Sequence, residues 1–175
     1  MSDVDQMLLA DASPADLGDI LCLEKACFRD PWAASSFLAE MEHPWSFFRV
    51  LGPARVQGSE LTKILAFHIA WFLDGEMHIL NLAVKPALRG QGLGRVLLKD
   101  GLEAFASRGG GTVHLEVRRS NLAAQGLYHG FGFKAVAIRE GYYRREKEDA
   151  IIMMLPVASS AAEEFEAKVI VRTGS

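Results

Sequence analysis

The sequence predicts an α+β domain of three layers, in which about four helices flank a mixed, mostly antiparallel sheet of about six to seven strands. Seven short segments are apolar or alternate between apolar and polar residues, as strands do, and four segments repeat apolar residues at helical spacing. Their order, β-α-α-β-β-β-α-β-α-β-β, is typical of a mixed sheet covered by helices. The 175 residues, half of them hydrophobic, are enough for one domain with a buried core.

The N-terminal part contains one predicted strand and two helices. Gln6–Ala12 alternates weakly and is predicted as an edge strand. A helix begins after Ser13, which is a favoured cap, has Pro14 in its first turn and runs to about Phe28. A second, short helix is predicted over about Ser35–Glu42.

Three strands follow in the middle of the chain. A polar loop at residues 52–60 separates the first two, and Asp74-Gly75 is a hairpin signal before the third. The predicted strands are Phe47–Leu51, Lys63–Leu73 and Glu76–Val84.

The C-terminal part alternates helices and strands. Leu93–Ser107 has helical spacing and is ended by three consecutive glycines at 109–111. The remaining elements are predicted as the strand Thr112–Arg118, the helix Asn121–Gly130 and the closing strands Phe133–Arg139 and Asp149–Leu155.

Composition bounds the function. Residues 1–156 are predicted to form a single domain, and residues 157–175 a linker-like tail to which no chemistry is assigned. The net charge of −3 does not favour nucleic acid, and no apolar run approaches the ~18 residues of a membrane span. Cys22 and Cys27 point in different directions on one helix, so no disulfide is expected. We therefore expect a cytoplasmic protein. The sequence does not determine its oligomeric state and favours a monomer slightly.

A glycine-rich turn stands between the strand ending at Val84 and the next helix. Gly90, Gly92 and Gly94 alternate between Arg89 and Arg95, more glycine than a simple turn needs. The turn is not a dinucleotide fingerprint, because its third glycine would fall on Arg95, and no Gly-Lys-Ser/Thr follows as in a P-loop. Backbone N–H groups at such a helix start are predicted to cradle a pyrophosphate.

Glu116 is a carboxylate inside an apolar, β-branched strand. Alternation places Leu115 and Val117 on one face and Glu116 on the other, beside Arg118. Two interpretations stand: a solvent-exposed carboxylate paired with Arg118 or Arg119, or a general base next to the phosphate cradle.

Tyr128 lies on the packed side of the helix that follows this strand. A core tyrosine with a satisfied hydroxyl is one interpretation. The other is a proton donor, since a phenol with a pKa near 10 suits the reprotonation of a leaving thiolate. The five histidines lack metal-ligand spacing and the two cysteines lack an activating pattern, so neither a metal site nor a cysteine nucleophile is expected.

These residues, in this order, resemble the GCN5-related N-acetyltransferase (GNAT) superfamily. The segment 89–94, Arg-Gly-Gln-Gly-Leu-Gly, matches its Q/R-x-x-G-x-G/A loop at every fixed position. The subfamily likeness is to the ribosomal-protein-alanine N-acetyltransferases (the RimI type), which acetylate the N-terminal alanine of ribosomal protein S18. It covers about residues 5–156 and includes Leu-Glu-Val-Arg at 115–118, Ser-Asn at 120–121 and Glu-Asp-Ala-Ile-Ile-Met at 148–153.

The resemblance implies a GNAT-like fold, acetyl-CoA as co-substrate and a protein N-terminus, that of S18, as acceptor. It implies Glu116 as the proton acceptor and Tyr128 as the proton donor, and places Trp32, Tyr142 and Tyr143 beside the peptide groove. The residues implied for the cofactor are Leu82, Ala83, Val84, Arg89, Gly90, Gln91, Gly92, Leu93, Gly94, Arg95 and Asn121.

Other functions remain open from sequence. The same fold could acetylate another N-terminus, a lysine side chain or a small amine. A non-catalytic acyl-CoA-binding module is disfavoured, because a pure binder needs neither Glu116 nor Tyr128.

Overall fold

The computed structural model describes residues 7–53, 63–145 and 147–160, and this part contains seven strands and four α-helices. The strands are β1 (Met7–Asp11), β2 (Ser46–Pro53), β3 (Ala66–Leu73), β4 (Glu76–Val84), β5 (Gly111–Arg118), β6 (Lys134–Tyr143) and β7 (Glu148–Val157). The helices are α1 (Leu17–Cys27), α2 (Ala34–Glu42), α3 (Leu93–Ser107) and α4 (Leu122–Gly130).

The seven strands form one mixed sheet in the order β1-β2-β3-β4-β5-β7-β6. Every neighbouring pair is antiparallel except β4 and β5, which are parallel and joined by α3. The predicted mixed, mostly antiparallel sheet is thus confirmed. None of the helices in the described ranges is both long and apolar enough to cross a membrane.

Alternation along the strands directs side chains into two cores. On one face, Phe67 and Ile69 of β3 pack with residues of α1 and α2 such as Ile20 and Phe37. On the other face, the core combines α3, α4 and the centre of the sheet, including Leu98 and the ring of Tyr128. The sheet is therefore the middle of three layers.

The parallel pair β4–β5 separates halfway along its length. Pairing runs from Glu76 with Thr112 to Ile79 with Leu115 and then stops, although β4 continues to Val84. At the same level the β3–β4 register shifts, leaving Leu80 as an extra residue. Because a bulge bends its strand and increases the twist, β4 turns away from β5 and a cleft opens between them.

Several element boundaries differ from the sequence prediction by one to four residues. The third strand begins at Ala66 rather than Lys63, while the last two form a longer hairpin that reaches Tyr143 and Val157. Gly141, with φ of +59°, allows β6 to continue through an irregular register after Arg139. The predicted loop beyond residue 53 and the tail beyond residue 160 lie outside the described residues.

Candidate active site

The candidate active site is the cleft that opens where β4 and β5 separate. Its volume is about 810 Å³, and it is bounded by both strand ends, the glycine turn, α4 and the segment after α1. Gln91 and Tyr142 are exposed and do not line it. The predicted residues that do line it are Trp32, Leu82, Ala83, Val84, Arg89, Gly90, Gly92, Leu93, Gly94, Arg95, Glu116, Asn121, Tyr128 and Tyr143.

The glycine turn forms the end of the cleft next to α3. Gly90 and Gly92 have φ of +77° and +89°, a conformation that glycine adopts without strain. Gly92 is also the N-cap of α3, whose first N–H groups have no partner inside the helix. A Cβ at Gly90 or Gly92 would meet no protein atom within 4 Å, so the space beside these donors is open. The turn fits the anionic pyrophosphate of a nucleotide-bearing ligand.

Gly94 has a different role from the other two glycines. A Cβ on Gly94 would lie 3.4 Å from Cδ2 of Leu127 and 3.6 Å from side-chain atoms of Leu82 and Val84. The small residue therefore lets the first turn of α3 approach both β4 and α4 closely.

The two arginines that flank the turn already have protein partners. Arg89 donates its Nε–H to the carbonyl oxygen of Val84, at 3.3 Å. The guanidinium of Arg95 lies 4.8 Å from the ring centroid of Phe131, a cation–π distance. Both side chains are exposed at the rim of the cleft, where an anion could draw them inward.

The free edge of β4 presents backbone groups to the cleft at every second residue. Lys85 donates its N–H to the Leu65 carbonyl at the end of the β3–β4 ladder. In an antiparallel pair only every second residue hydrogen-bonds to the neighbouring strand, counted here from Lys85. By that alternation the backbone of Ala83 faces β3, whereas Leu82 and Val84 direct their N–H and C=O groups at the cleft. An extended ligand can therefore pair with Leu82 and Val84 as an added strand does.

Glu116 is the first residue of β5 beyond the segment that pairs with β4. Its Oε2 lies 2.7 Å from Nε2 of His78, and its Oε1 lies 3.7 Å from a guanidinium nitrogen of Arg139. The hydrogen bond from His78 is the main cause that holds the pKa of this carboxyl below its ordinary value, against the opposite effect of burial. Arg118 and Arg119, the partners considered from sequence, form ion pairs with Glu148 and Asp149.

Tyr128 projects from α4 into the wall of the cleft. The residue is 7% exposed, and burial raises the pKa of its phenol well above the ordinary value, with a smaller contribution from Tyr143. Asn121 caps this helix, because its Oδ1 accepts the N–H of Ala124 at 3.1 Å. The same cap holds the amide NH₂ of Asn121 at the rim of the cleft.

Two further segments line the cleft. Trp32 comes from the segment after α1, and Tyr143 from the end of β6, where Tyr142 packs edge-on against it at 5.1 Å. An exposed ion pair between Asp30 and Arg145, at 3.1 Å, joins the two segments. Both segments therefore line the same cleft as Glu116.

A buried carboxyl that the sequence prediction missed supports the Trp32 segment. Glu24 is 1% exposed; its Oε1 accepts the backbone N–H of Trp32 and its Oε2 accepts the side-chain amide of Asn81, each at 3.0 Å. Burial raises the pKa of Glu24, and the two hydrogen bonds oppose this effect. Nothing in the spacing of α1 marks this residue as functional. Of its two partners, Trp32 lies in the segment after the helix, and Asn81 lies in β4, 57 residues away in sequence.

His78 was also missed as a functional residue. From sequence the histidines were considered only as metal ligands, and His78 meets Glu116 only once the register of β4 and β5 is known. In the ranges that the structure describes, no three His, Cys, Asp or Glu side chains cluster as a metal site would. Both cysteines are free, and burial raises the pKa of the Cys27 thiol, which disfavours a thiolate.

Comparison with known proteins identifies the family. Residues 17–133 match the model of the acetyltransferase (GNAT) family. The ribosomal protein bS18-alanine N-acetyltransferase of Escherichia coli is 34% identical over 145 residues, which are 82% of this chain and 93% of that protein. The N-alpha-acetyltransferase RimI of Mycobacterium tuberculosis is 36% identical over 124 residues, 71% of this chain and 75% of that protein.

The fold agrees with these sequence matches. The crystal structure of the E. coli ribosomal-protein-S18-alanine N-acetyltransferase superimposes with a TM-score of 0.76 at 31% identity, covering 91% of this chain and 99% of that one. The chain therefore belongs to the acetyltransferase (GNAT) family and is an N-acetyltransferase that uses acetyl-CoA as its co-substrate.

Proposed function

We propose that this enzyme acetylates the N-terminal α-amine of a protein, and that its substrate is the N-terminal alanine of ribosomal protein S18. The observation that carries the proposal is the joint placement of a half-buried carboxylate, Glu116, and a buried phenol, Tyr128, in the cleft that also contains the glycine turn. An acceptor on a ribosomal protein places the reaction in the cytoplasm.

Binding of the donor follows from the shape of the cleft. Acetyl-CoA supplies an acetyl thioester and carries a pyrophosphate, which the turn of Gly90 and Gly92 and the start of α3 would hold. Arg89 and Arg95 add positive charge at the rim, and Leu82 and Val84 would pair with the pantetheine arm. Asn121 can donate its amide NH₂ to the donor while its Oδ1 stays in the helix cap.

Glu116 acts as the general base in this proposal. An α-amine has a pKa of about 8, so it must lose a proton before its nitrogen can attack a carbonyl. Glu116 is ionised at neutral pH, as a carboxyl with a pKa below the ordinary value must be, and it accepts that proton directly or through one water. Backbone N–H groups near Val84 face the cleft and can stabilise the oxyanion that forms.

Tyr128 acts as the general acid. Burial keeps its hydroxyl protonated at every physiological pH, so a proton is present when the thiolate of CoA departs. The same low-dielectric position strengthens its hydrogen bond to a developing anion. Transfer is direct, without an acyl-enzyme.

The acceptor is inferred from the relatives. Proteins 34% identical over most of this chain are named for the alanine of ribosomal protein bS18. The flanking segments around Trp32 and Tyr143 leave an open groove of the kind that a peptide end requires.

The test is CoA release with acetyl-CoA and a peptide carrying the S18 N-terminus. Glu116→Gln and Tyr128→Phe should each lower kcat by about 10²-fold or more, with a smaller change in the Kd for acetyl-CoA. Glu103→Gln, which removes an exposed carboxylate of α3 paired with Lys99, is the matched control and should retain wild-type kcat.

Two results would contradict the proposal. Wild-type kcat in Glu116→Gln would exclude this residue as the base. Acetylation of lysine side chains or small amines, without activity on the peptide, would exclude the N-terminal acceptor while leaving the family assignment in place.

A further inference from the structure

His78 and His114 form a stacked pair beside Glu116. They are register partners in the paired part of β4 and β5, and their rings lie 4.6 Å apart at an interplanar angle of 11°. Nε2 of His114 lies 3.4 Å from a carboxylate oxygen of Glu76 at the start of β4. His114 is held by this contact, and its stacking restricts the plane of the His78 ring, whose Nε2 points at Glu116.

The contact with His78 makes the two oxygens of Glu116 different. Oε2 is engaged at 2.7 Å, a short hydrogen bond, and since a carboxylate oxygen only accepts, Nε2 of His78 must carry the proton. Oε1 faces Arg139 at 3.7 Å, which is too long for a hydrogen bond. Within the described chain Oε1 is therefore the oxygen left to accept a proton.

We propose that His78 is a positioning residue for Glu116: its Nε2–H holds Oε2 and leaves Oε1 for the amine proton. This proposal rests on the proposed role of Glu116. The Nε2–H of His78 fixes the orientation of the carboxylate, and a fixed orientation keeps Oε1 within reach of the amine proton.

The kinetic test compares three variants by their kcat at saturating substrates. His78→Leu removes the donor, whereas His78→Gln keeps an N–H near the position of Nε2. His43→Gln, at the end of α2 and outside the cleft, is the matched control for the loss of a histidine.

We expect His78→Leu to lower kcat by about 10- to 100-fold while KM for acetyl-CoA changes less than about twofold. His78→Gln should retain kcat within about threefold of wild type at pH 8. Recovery of kcat in His78→Gln but not in His78→Leu is what a hydrogen-bond donor at this position predicts. His43→Gln should retain the kcat of wild type.

Wild-type kcat in His78→Leu would overturn the positioning role, and so would a loss of kcat in His78→Gln equal to that in His78→Leu. A measurement that requires no turnover separates failure of this inference from failure of the proposed function. The imidazole ¹⁵N signals of His78 should shift in Glu116→Gln, while those of His43 do not. Unchanged His78 signals would overturn the contact, and shifted signals in an enzyme inactive on every N-terminal peptide would instead count against the proposed function.

Discussion

At the scale of single residues, buried polar groups do the positioning. Glu24 connects α1 to the backbone of Trp32 and to Asn81, so one carboxylate fixes both a flanking segment and the strand beside the cleft. Its burial is costly when it is ionised, because two hydrogen bonds replace a full hydration shell.

The pH dependence of stability tests this residue. The folded-state pKa of Glu24 is raised, so its ionisation destabilises the fold as pH rises above the ordinary carboxyl range. Glu24→Gln keeps both contacts if the Asn81 amide turns over, and it never ionises. We expect its free energy of unfolding, relative to wild type, to increase from pH 4 to pH 8 in urea titrations. Glu24→Ala should lose about 1–3 kcal/mol and raise KM for the peptide. A constant difference between the Glu24→Gln variant and wild type across this range would show that Glu24 does not titrate as described.

At the scale of elements, the glycine turn explains the pattern of its own motif. Gly92 must be glycine because its φ is +89° at the N-cap of α3, whereas Gly94 is helical and needs only to be small. This explains why the motif requires glycine at the position of Gly92 and accepts glycine or alanine at the position of Gly94.

The matched variants Gly92→Ala and Gly94→Ala test this difference. Gly92→Ala forces a side chain into the left-handed region, so it should cost about 1–2 kcal/mol and weaken acetyl-CoA binding by about tenfold or more. Gly94→Ala places a Cβ in ordinary contact with Leu127 and gains helix propensity, so its thermal midpoint and Kd should remain near wild type. Calorimetry of unfolding and of acetyl-CoA binding measures both; equal losses in the two variants would contradict this account.

At the scale of the whole molecule, one histidine between sheet and helix links global stability to pH. His68 is fully buried on β3, donates Nδ1–H to the Leu97 carbonyl of α3, and has no partner for Nε2 in the described residues. Gly101 makes this approach possible, since a Cβ there would lie 2.6 Å from the His68 ring. Burial lowers the pKa of His68 to about 4.

This burial predicts sensitivity to acid. Because the folded-state pKa lies below the ordinary value of 6.5, the unfolded chain takes up the proton first, and stability is lost as pH falls from about 6.5 through about 4. The loss amounts to about 3 kcal/mol. In urea unfolding at several pH values, the free energy of unfolding of His68→Leu should not show this loss. His129→Gln, on the exposed side of α4, should show it as wild type does. Equal slopes in wild type and His68→Leu would rule out His68 as the cause.

The sequence by itself determined the features that depend on neighbouring residues. Helical spacing and the glycines at 109–111 set the bounds of Leu93–Ser107, and the Asp74-Gly75 turn set the start of Glu76–Val84, because periodicity and turn conformation are local properties. Alternation also placed Glu116 on the opposite face from Leu115.

The tertiary structure decided which distant residues meet. The bulge at Leu80 separates β4 from β5 and creates the cleft, and the four-residue register of that parallel pair brings His78 to Glu116. Glu24 reaches Asn81 only because α1 packs across the end of β4. Cross-strand register and helix docking are set by the fit of the whole core rather than by local sequence, so partners 38 and 57 residues apart could not be read from the chain.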